Sequence, residues 1–370
     1  MEINEKMAHS AAVKFENCND NNIESVTRHG NGHINDTFLI KLKSGKRNKL
    51  ILQRINHEIF KDPEGLMDNI LKITNHIKNK VSDPERETLT VIKTGEGAPF
   101  YKDELGNYWR MYLFIENTVC LEKVTGPKDF YESAVSFGRF QQMLADFPAE
   151  TLKETIPDFH NTVKRYEDFE RAVKEDIQSR VKDVTKEIEF LRERKEEMAK
   201  GEALRKAGTL PLRVTHNDTK LNNIMMDPDT GKGVCIIDLD TVMPGLSIYD
   251  FGDSIRFGAN TAAEDETDLD KVKIDLELFK TYAQGFIEGA GGRLTKEEIQ
   301  YLPYGAKNMT LECGMRFLTD HINGDTYFKI HRPGHNLDRA RDQFKLVRDM
   351  EKNMSSMEEI IKKISEDLHA

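Results

Sequence analysis

The sequence predicts an α+β fold in two parts, a small antiparallel sheet with one helix followed by a larger, mainly helical part. Three observations support this. Up to about residue 117 the apolar residues fall in short runs rich in β-branched and aromatic side chains, separated by turn residues. From Asp129 onwards they recur with helical spacing. The chain also has 370 residues, more than the roughly 250–300 that one core usually holds. The division is expected between residues 1–117 and 118–370.

In the first part, strands are expected at Ile23–Arg28, Thr37–Leu42, Lys49–Ile55, Thr88–Lys93 and Tyr108–Ile115. Ser44-Gly45, Gly95 with Gly97, and Gly106-Asn107 supply the turns. Between the third and fourth strands, residues 62–81 place Leu66, Ile70, Ile73 and Ile77 on one helical face. In the second part, helices are expected over 129–145, 162–206, 269–289, 296–321 and 337–368. The run 182–200 reads as a solvated helix face laced with opposite charges. Three short apolar pieces interrupt this helical part, Arg213–Thr215, Asn223–Met226 and Val234–Ile237, and chemistry is expected in the polar loops between them.

Composition narrows the function. Charged residues make up 32% and the net charge is −10, with no one-sided basic stripe, so no nucleic-acid partner is expected. No apolar run approaches the ~20 residues of a membrane span. The first twenty residues lack the layout of a secretory signal, and a cytoplasmic location is expected. Cys18, Cys120, Cys235 and Cys313 are scattered, with no C-x-x-C pair, and read as reduced structural thiols.

The strongest chemical signal is Val214-Thr215-His216-Asn217-Asp218-Thr219-Lys220-Leu221-Asn222-Asn223. It fits H-x-D-x-x-x-x-N, the loop pattern of phosphoryl transfer, in which a carboxylate orients an acceptor hydroxyl and takes its proton. Asp218 supplies that carboxylate, Asn223 can reach a magnesium ion, and Lys220 is placed to neutralise charge on the transferred group. His216 is expected to pack or hydrogen-bond beneath the loop. Further on, the apolar run Val234-Cys235-Ile236-Ile237 ends in Asp238-Leu239-Asp240. Carboxylates closing a buried strand are costly unless they meet a cation, and magnesium takes one or two carboxylates plus phosphate oxygens. Asp238 is therefore the main metal candidate, and Asp240 a second ligand or an outer partner. Asp250-Phe251-Gly252 follows no apolar strand, so Asp250 is expected to accept backbone donors from the catalytic loop. Asp253 either does the same or caps a helix.

Nucleotide contacts are sought in the first part. Gly30 and Gly32, in the turn before the returning strand, let backbone N–H groups approach phosphate. The third strand, Leu50-Ile51-Leu52-Gln53-Arg54-Ile55, has no lysine facing the phosphates. Either Arg54 serves, or Gln53 points inward and the cation comes from elsewhere. Ile115, ending the fifth strand, completes the nucleotide-binding positions.

HNDTKLNN, IDLDTVMPGLSIYDFGDSIRFGA, GNGHINDTF, LILQRIN and FKDP together resemble the N-acetylhexosamine 1-kinase family. That family is a branch of the aminoglycoside/choline-type phosphotransferase superfamily, and the resemblance spans residues 25–345. More distant members carry H-G-D where this chain has Asn217. The resemblance implies a bilobal protein-kinase-like fold, with a nucleotide-binding first lobe and a second lobe holding the catalytic loop, metal site and acceptor pocket. It also implies ATP with Mg2+, and a sugar acceptor phosphorylated at its anomeric hydroxyl. Asp218 would be the base, while Asn223 and Asp238 would hold metal.

For the acceptor, Arg316 and Tyr327 offer a planar donor and an aromatic face, and corresponding positions of the family touch the sugar. The bland alternative for Arg316 is a pair with Asp320, one helical turn on. Residues 156–161 form a second candidate wall. The competing readings are another acceptor (a different sugar, an amino alcohol or an aminoglycoside) and a nucleotide-binding pseudokinase. Retention of Asp218, Asn223 and Asp238 weighs against the last.

Overall fold

A computed structural model describes residues 4–30, 34–45, 47–124 and 126–368. The elements run α1 (Glu5–Ala12), β1 (Ile23–Arg28), β2 (Asp36–Leu42), β3 (Lys49–Ile55), α2 (Pro63–Lys78), α3 (Pro84–Glu87), β4 (Val91–Ile92), β5 (Tyr101–Lys102) and β6 (Tyr108–Leu113). Next come α4 (Pro127–Met143), α5 (Thr162–Glu175), α6 (Thr185–Arg192), α7 (Lys195–Met198), α8 (Lys200–Lys206), β7 (Arg213–Thr215), β8 (Ile224–Met226), β9 (Gly233–Ile236) and β10 (Met243–Gly245). The chain closes with α9 (Ser247–Gly258), α10 (Leu276–Gly289), α11 (Lys296–Gln300), α12 (Leu302–Ile322) and α13 (His335–Asp367).

Internal contacts divide the chain into two units. The first comprises Met1–Val119, Thr151–Ile156 and Met225–Met243. Its antiparallel sheet runs β1-β2-β3-β6-β4, with β5 also pairing β6. Phe38, Ile40, Leu50, Leu52, Trp109 and Met111 form one face and cluster with Ala8, Ala11 and Ala12 of α1. That helix was not anticipated, although Asn4 caps it by accepting from the Lys6 and Met7 N–H groups. Strand alternation and the register Thr37↔Gln53↔Arg110 put those three residues on the opposite face. The expected stripe of α2 is buried, and Asp62 caps the helix by accepting from the Gly65 N–H at 2.9 Å.

Residues 225–243 return to this unit through the Val119–Met226 bridge and an ion pair of 2.9 Å between Arg86 and Asp227. Asp238 and Asp240, placed by sequence beyond residue 117, therefore belong with the sheet.

The second unit is helical, apart from short strand pairing at β7. Phe169, Leu191, Met315, Leu318, Phe344 and Val347 lie in one of its cores. The helix expected over 162–206 is broken into four, with Asp176 left-handed (φ 40°) where α5 stops. Its charged run is more than a solvated face, because Ile188, Phe190 and Leu191 are buried. The helices α9 and α12 approach so closely that a Cβ on Gly252 would sit 2.4 Å from the Gly305 carbonyl oxygen. Gly252 is thus required by helix packing. Among the described residues, no helix is long and apolar enough to cross a membrane.

Candidate active site

The catalytic loop leaves β7 and is braced from below. Asp250, on α9, accepts from the His216 N–H at 2.9 Å, the Asn217 N–H at 2.8 Å and the Gln141 side-chain amide at 2.8 Å. This is the backbone-accepting role expected of it. Burial raises its pKa, and these donors act against that rise. Asp253 accepts from the Thr219 N–H at 3.1 Å and pairs with Arg256. Its carboxyl pKa is lowered overall: burial pushes it up, and the Arg256 and Lys220 charges more than compensate. The His216 ring is buried edge-on to Phe137 and Phe140. Asn217 has φ 64°, a left-handed conformation that glycine adopts freely and asparagine tolerates better than most residues.

The loop brings Asp218, Lys220 and Asn223 together. Lys220 Nζ lies 2.8 Å from Asp218 Oδ1, and the Asp218 charge raises the lysine pKa. Asn223 Nδ2 donates to the Asp218 carbonyl at 2.8 Å and to its Oδ2 at 3.1 Å. These bonds use the asparagine's nitrogen and leave its Oδ1 as the group to offer a hard cation.

In the first unit, Asp238 follows β9 in a left-handed conformation (φ 57°, ψ 58°). Such a conformation is costly for a non-glycine residue and concentrates at functional positions. Asp240 is buried, with Oδ1 bonded by Arg110 and Oδ2 accepting from Asn35 Nδ2 at 2.7 Å. Arg110 also donates from Nε to Gln53 Oε1 at 3.0 Å, and Gln53 Nε2 donates to Thr37 Oγ1 at 3.0 Å. Burial works against the Arg110 charge, but the Asp240 carboxylate more than restores it, so its pKa is raised overall. Sequence reasoning missed Arg110; its place opposite Gln53 depends on strand register.

Arg54 lies on the other face of β3, where its guanidinium pairs with Asp36 at 2.7 Å. Asp36 also pairs with Arg28 at 2.9 Å. Gly30 is left-handed (φ 73°), and Gly32 lies outside the described residues. Ile115 is buried, and its carbonyl accepts from Thr118 Oγ1 at 3.0 Å.

Arg316 and Tyr327 do meet, in a cavity of about 190 Å³ that Arg165, Asp168, Thr319 and Phe328 also line. The Arg316 guanidinium lies 5.0 Å from the Phe159 ring centroid, 5.9 Å from Tyr327 and 5.5 Å from Phe328. It does not pair with Asp320. That carboxylate accepts from the backbone N–H groups of Thr326, Tyr327 and Phe328 at 2.8–2.9 Å, and from Asn336. Arg165, also missed by sequence reasoning, donates to the Phe159 carbonyl at 3.1 Å; burial, then the Arg316 charge, lowers its pKa. Behind them, buried Glu312 bonds His160 Nδ1 at 2.9 Å. The Arg165 and Arg316 charges act on Glu312, and that of His160 acts on Asp253.

Among the described residues, no three His, Cys, Asp or Glu side chains cluster to hold a metal by themselves. Asn223 and Asp238 each carry an oxygen donor of the kind magnesium takes, and that ion keeps few protein ligands and relies on phosphate and water oxygens.

The fold is similar to that of known small-molecule kinases. An aminoglycoside phosphotransferase from Alicyclobacillus acidocaldarius aligns with 98% of this chain and 98% of its own, at 12% identity and a TM-score of 0.64. A microcompartment-associated aminopropanol kinase aligns over 96% and 98%, at 16% identity and a TM-score of 0.64. An amicoumacin kinase in complex with AMP-PNP and Ca2+ aligns over 95% and 94%, at 14% identity and a TM-score of 0.57. At such identities these likenesses speak for the kinase-like fold. The family follows from the sequence profile of the phosphotransferase enzyme family, which matches residues 25–283 and takes in the sheet, the catalytic loop and β9. The chain belongs to the phosphotransferase enzyme family and is a small-molecule phosphotransferase.

Proposed function

We propose that this protein is an ATP- and Mg2+-dependent sugar kinase. In this reading it phosphorylates the anomeric hydroxyl of N-acetylhexosamines, N-acetylglucosamine or N-acetylgalactosamine, to give the sugar 1-phosphate. The observation that carries the acceptor class is the cavity where Arg316 and Tyr327 meet beside Arg165 and Phe159. A site for choline, an amino alcohol or an aminoglycoside needs carboxylates or an aromatic cage for its cation. Here two guanidiniums face the space, and both lining carboxylates are engaged: Asp168 by Lys164 and Arg171, and Asp320 by the Thr326, Tyr327 and Phe328 N–H groups and Asn336. Planar donors beside aromatic faces suit a neutral, oxygen-rich ring.

In this reading the first unit binds nucleotide, using Gly30, Gly32, Gln53 and Ile115, while Arg54, on the opposite face of β3 and paired with Asp36, does not serve; the second unit carries the catalytic loop and the acceptor pocket. Asp218 orients the acceptor hydroxyl and takes its proton as the oxygen attacks the γ-phosphorus and the bond to ADP breaks. Lys220, 2.8 Å from Asp218, offsets charge on the transferred group. Asn223 and Asp238 would hold magnesium, with Asp240 as an outer partner, since Arg110 and Asn35 already take both its oxygens. The metal would supply charge neutralisation between the phosphates.

The test is a phosphate-transfer panel of N-acetylhexosamines, other sugars, choline, aminopropanol and aminoglycosides. Phosphate on the anomeric carbon blocks the reducing end, so reducing-sugar signal should fall one-for-one with ATP consumed. Turnover with retained reducing sugar would reject the 1-phosphate product. Turnover of amines in place of sugars would reject the neutral acceptor.

A further inference from the structure

We propose that Arg110 is the positioning residue of the metal-binding segment: buried in the sheet, it fixes residues 238–241 through Asp240 and so sets where the Asp238 carboxylate points. This rests on Asp238 being a metal ligand, as proposed above. The third strand lacks the expected lysine, and the geometry assigns the inner cation of this unit to β6.

The anchorage is specific. Arg110 and Asp240 have side chains only 1% and 2% exposed, so their pair is shielded from water. Gln53, in the strand-three position left without a lysine, takes the Arg110 Nε–H at 3.0 Å and thereby aims the guanidinium. On the far side of Asp240, Asn35 donates to Oδ2 at 2.7 Å, while its own Oδ1 accepts from the Asn56 N–H at 3.0 Å. The segment's backbone is held as well. The Asp240 carbonyl accepts from Thr155 Oγ1 at 2.8 Å, and the Val242 carbonyl from Asn69 Nδ2 at 3.1 Å. Two residues before this clamp, Asp238 adopts its left-handed backbone, which persists only where the surroundings over-determine it.

The energetics favour a positioning role over a purely stabilising one. Taking both charges out of water costs several kcal/mol per ion by general estimate, so a well-packed apolar pair would hold the sheet as firmly. An apolar pair, however, could not fix a loop by directed hydrogen bonds at one register.

The test uses Arg110→Lys, Arg110→Met and the double variant Arg110→Met with Asp240→Asn, which removes the stranded carboxylate. Two quantities are read: the thermal midpoint without ligand, and the gain in AMP-PNP affinity when Mg2+ is added, by calorimetry. Asp238→Ala serves as the control and should abolish that gain. The single Met variant should be destabilised, and the double variant should regain most of the midpoint. In the double variant the Mg2+-dependent gain should still be about 10–100-fold smaller than in the parent, the range seen when residues orienting metal ligands are lost. Metal-free AMP-PNP affinity should stay near the parent value. Arg110→Lys, which keeps the charge and loses the fork, should fold and fall between. A double variant or Lys variant with the full Mg2+ gain would overturn the positioning role and leave the metal reading standing. An undiminished gain in Asp238→Ala would overturn both.

Discussion

Replacing Asp250 by alanine tests the reading that this carboxylate is structural. It accepts the His216 and Asn217 N–H groups and the Gln141 amide, all in the buried floor of the catalytic loop. Gln141 keeps a second acceptor in the Val214 carbonyl, so the loss falls on the two backbone donors. Each buried donor stripped of its partner costs about 1–3 kcal/mol, or roughly 2–6 together. Relief of the buried Asp250 charge, whose cost shows in its raised pKa, offsets part of that, leaving about 2–4 kcal/mol. The expected result is a lower urea midpoint at unchanged m-value, and a thermal midpoint lower by about 3–5 °C for a chain of 370 residues. At temperatures where the variant is folded, the Mg2+-dependent gain in AMP-PNP affinity should persist. A variant with the parental midpoint and no Mg2+ gain would refute the reasoning, because Asp250 would then hold the metal.

Three further outcomes are expected. Asp218→Asn should lower kcat by at least ~10²-fold, the scale of a positioned acid–base group, with AMP-PNP affinity nearly unchanged; activity within a few-fold of the parent would remove its assignment as base. Arg316→Ala and Arg165→Gln should each raise KM for N-acetylhexosamines while KM for ATP stays constant, since an interaction made equally in ground and transition states appears in KM; a pure kcat effect would count against acceptor binding. Asp342 is buried and its carboxyl is pushed up to about 7 by burial, from an ordinary value of 3.8. The folded state therefore keeps a proton that the unfolded chain releases, and stability should fall as pH rises from about 4 to 7, by up to roughly 4 kcal/mol, then level off. Asp342→Asn should flatten that slope in urea titrations, and an unchanged slope would exclude Asp342 as its source.

Where a structural role is written into adjacent residues, the sequence by itself determined it. The bounds of β1 and β3 agree with the expected strands, because alternation and turn residues are local signals. The order of catalytic loop, apolar strand and DFG-like triplet was enough to make Asp250 a brace, and its bonds to His216 and Asn217 bear this out. Short or weakly patterned elements were missed: α1 has eight residues, and β5 only two. The break after Glu175 in the helix expected over 162–206 depends on Asp176 turning left-handed, which no periodicity announces.

Tertiary structure decided which side chains share a surface. Gln53 and Arg54 are neighbours in sequence but lie on opposite faces of β3, and only the register with β6 puts Gln53 beside Arg110. Arg110 finds its carboxylate 130 residues further on, at Asp240. Arg165 reaches the Arg316 pocket from a different helix. Local patterns record the period of a strand or helix, because that is set by bonds within a few residues. Pairings between distant charges leave no such trace, since they depend on how strands register and how helices pack.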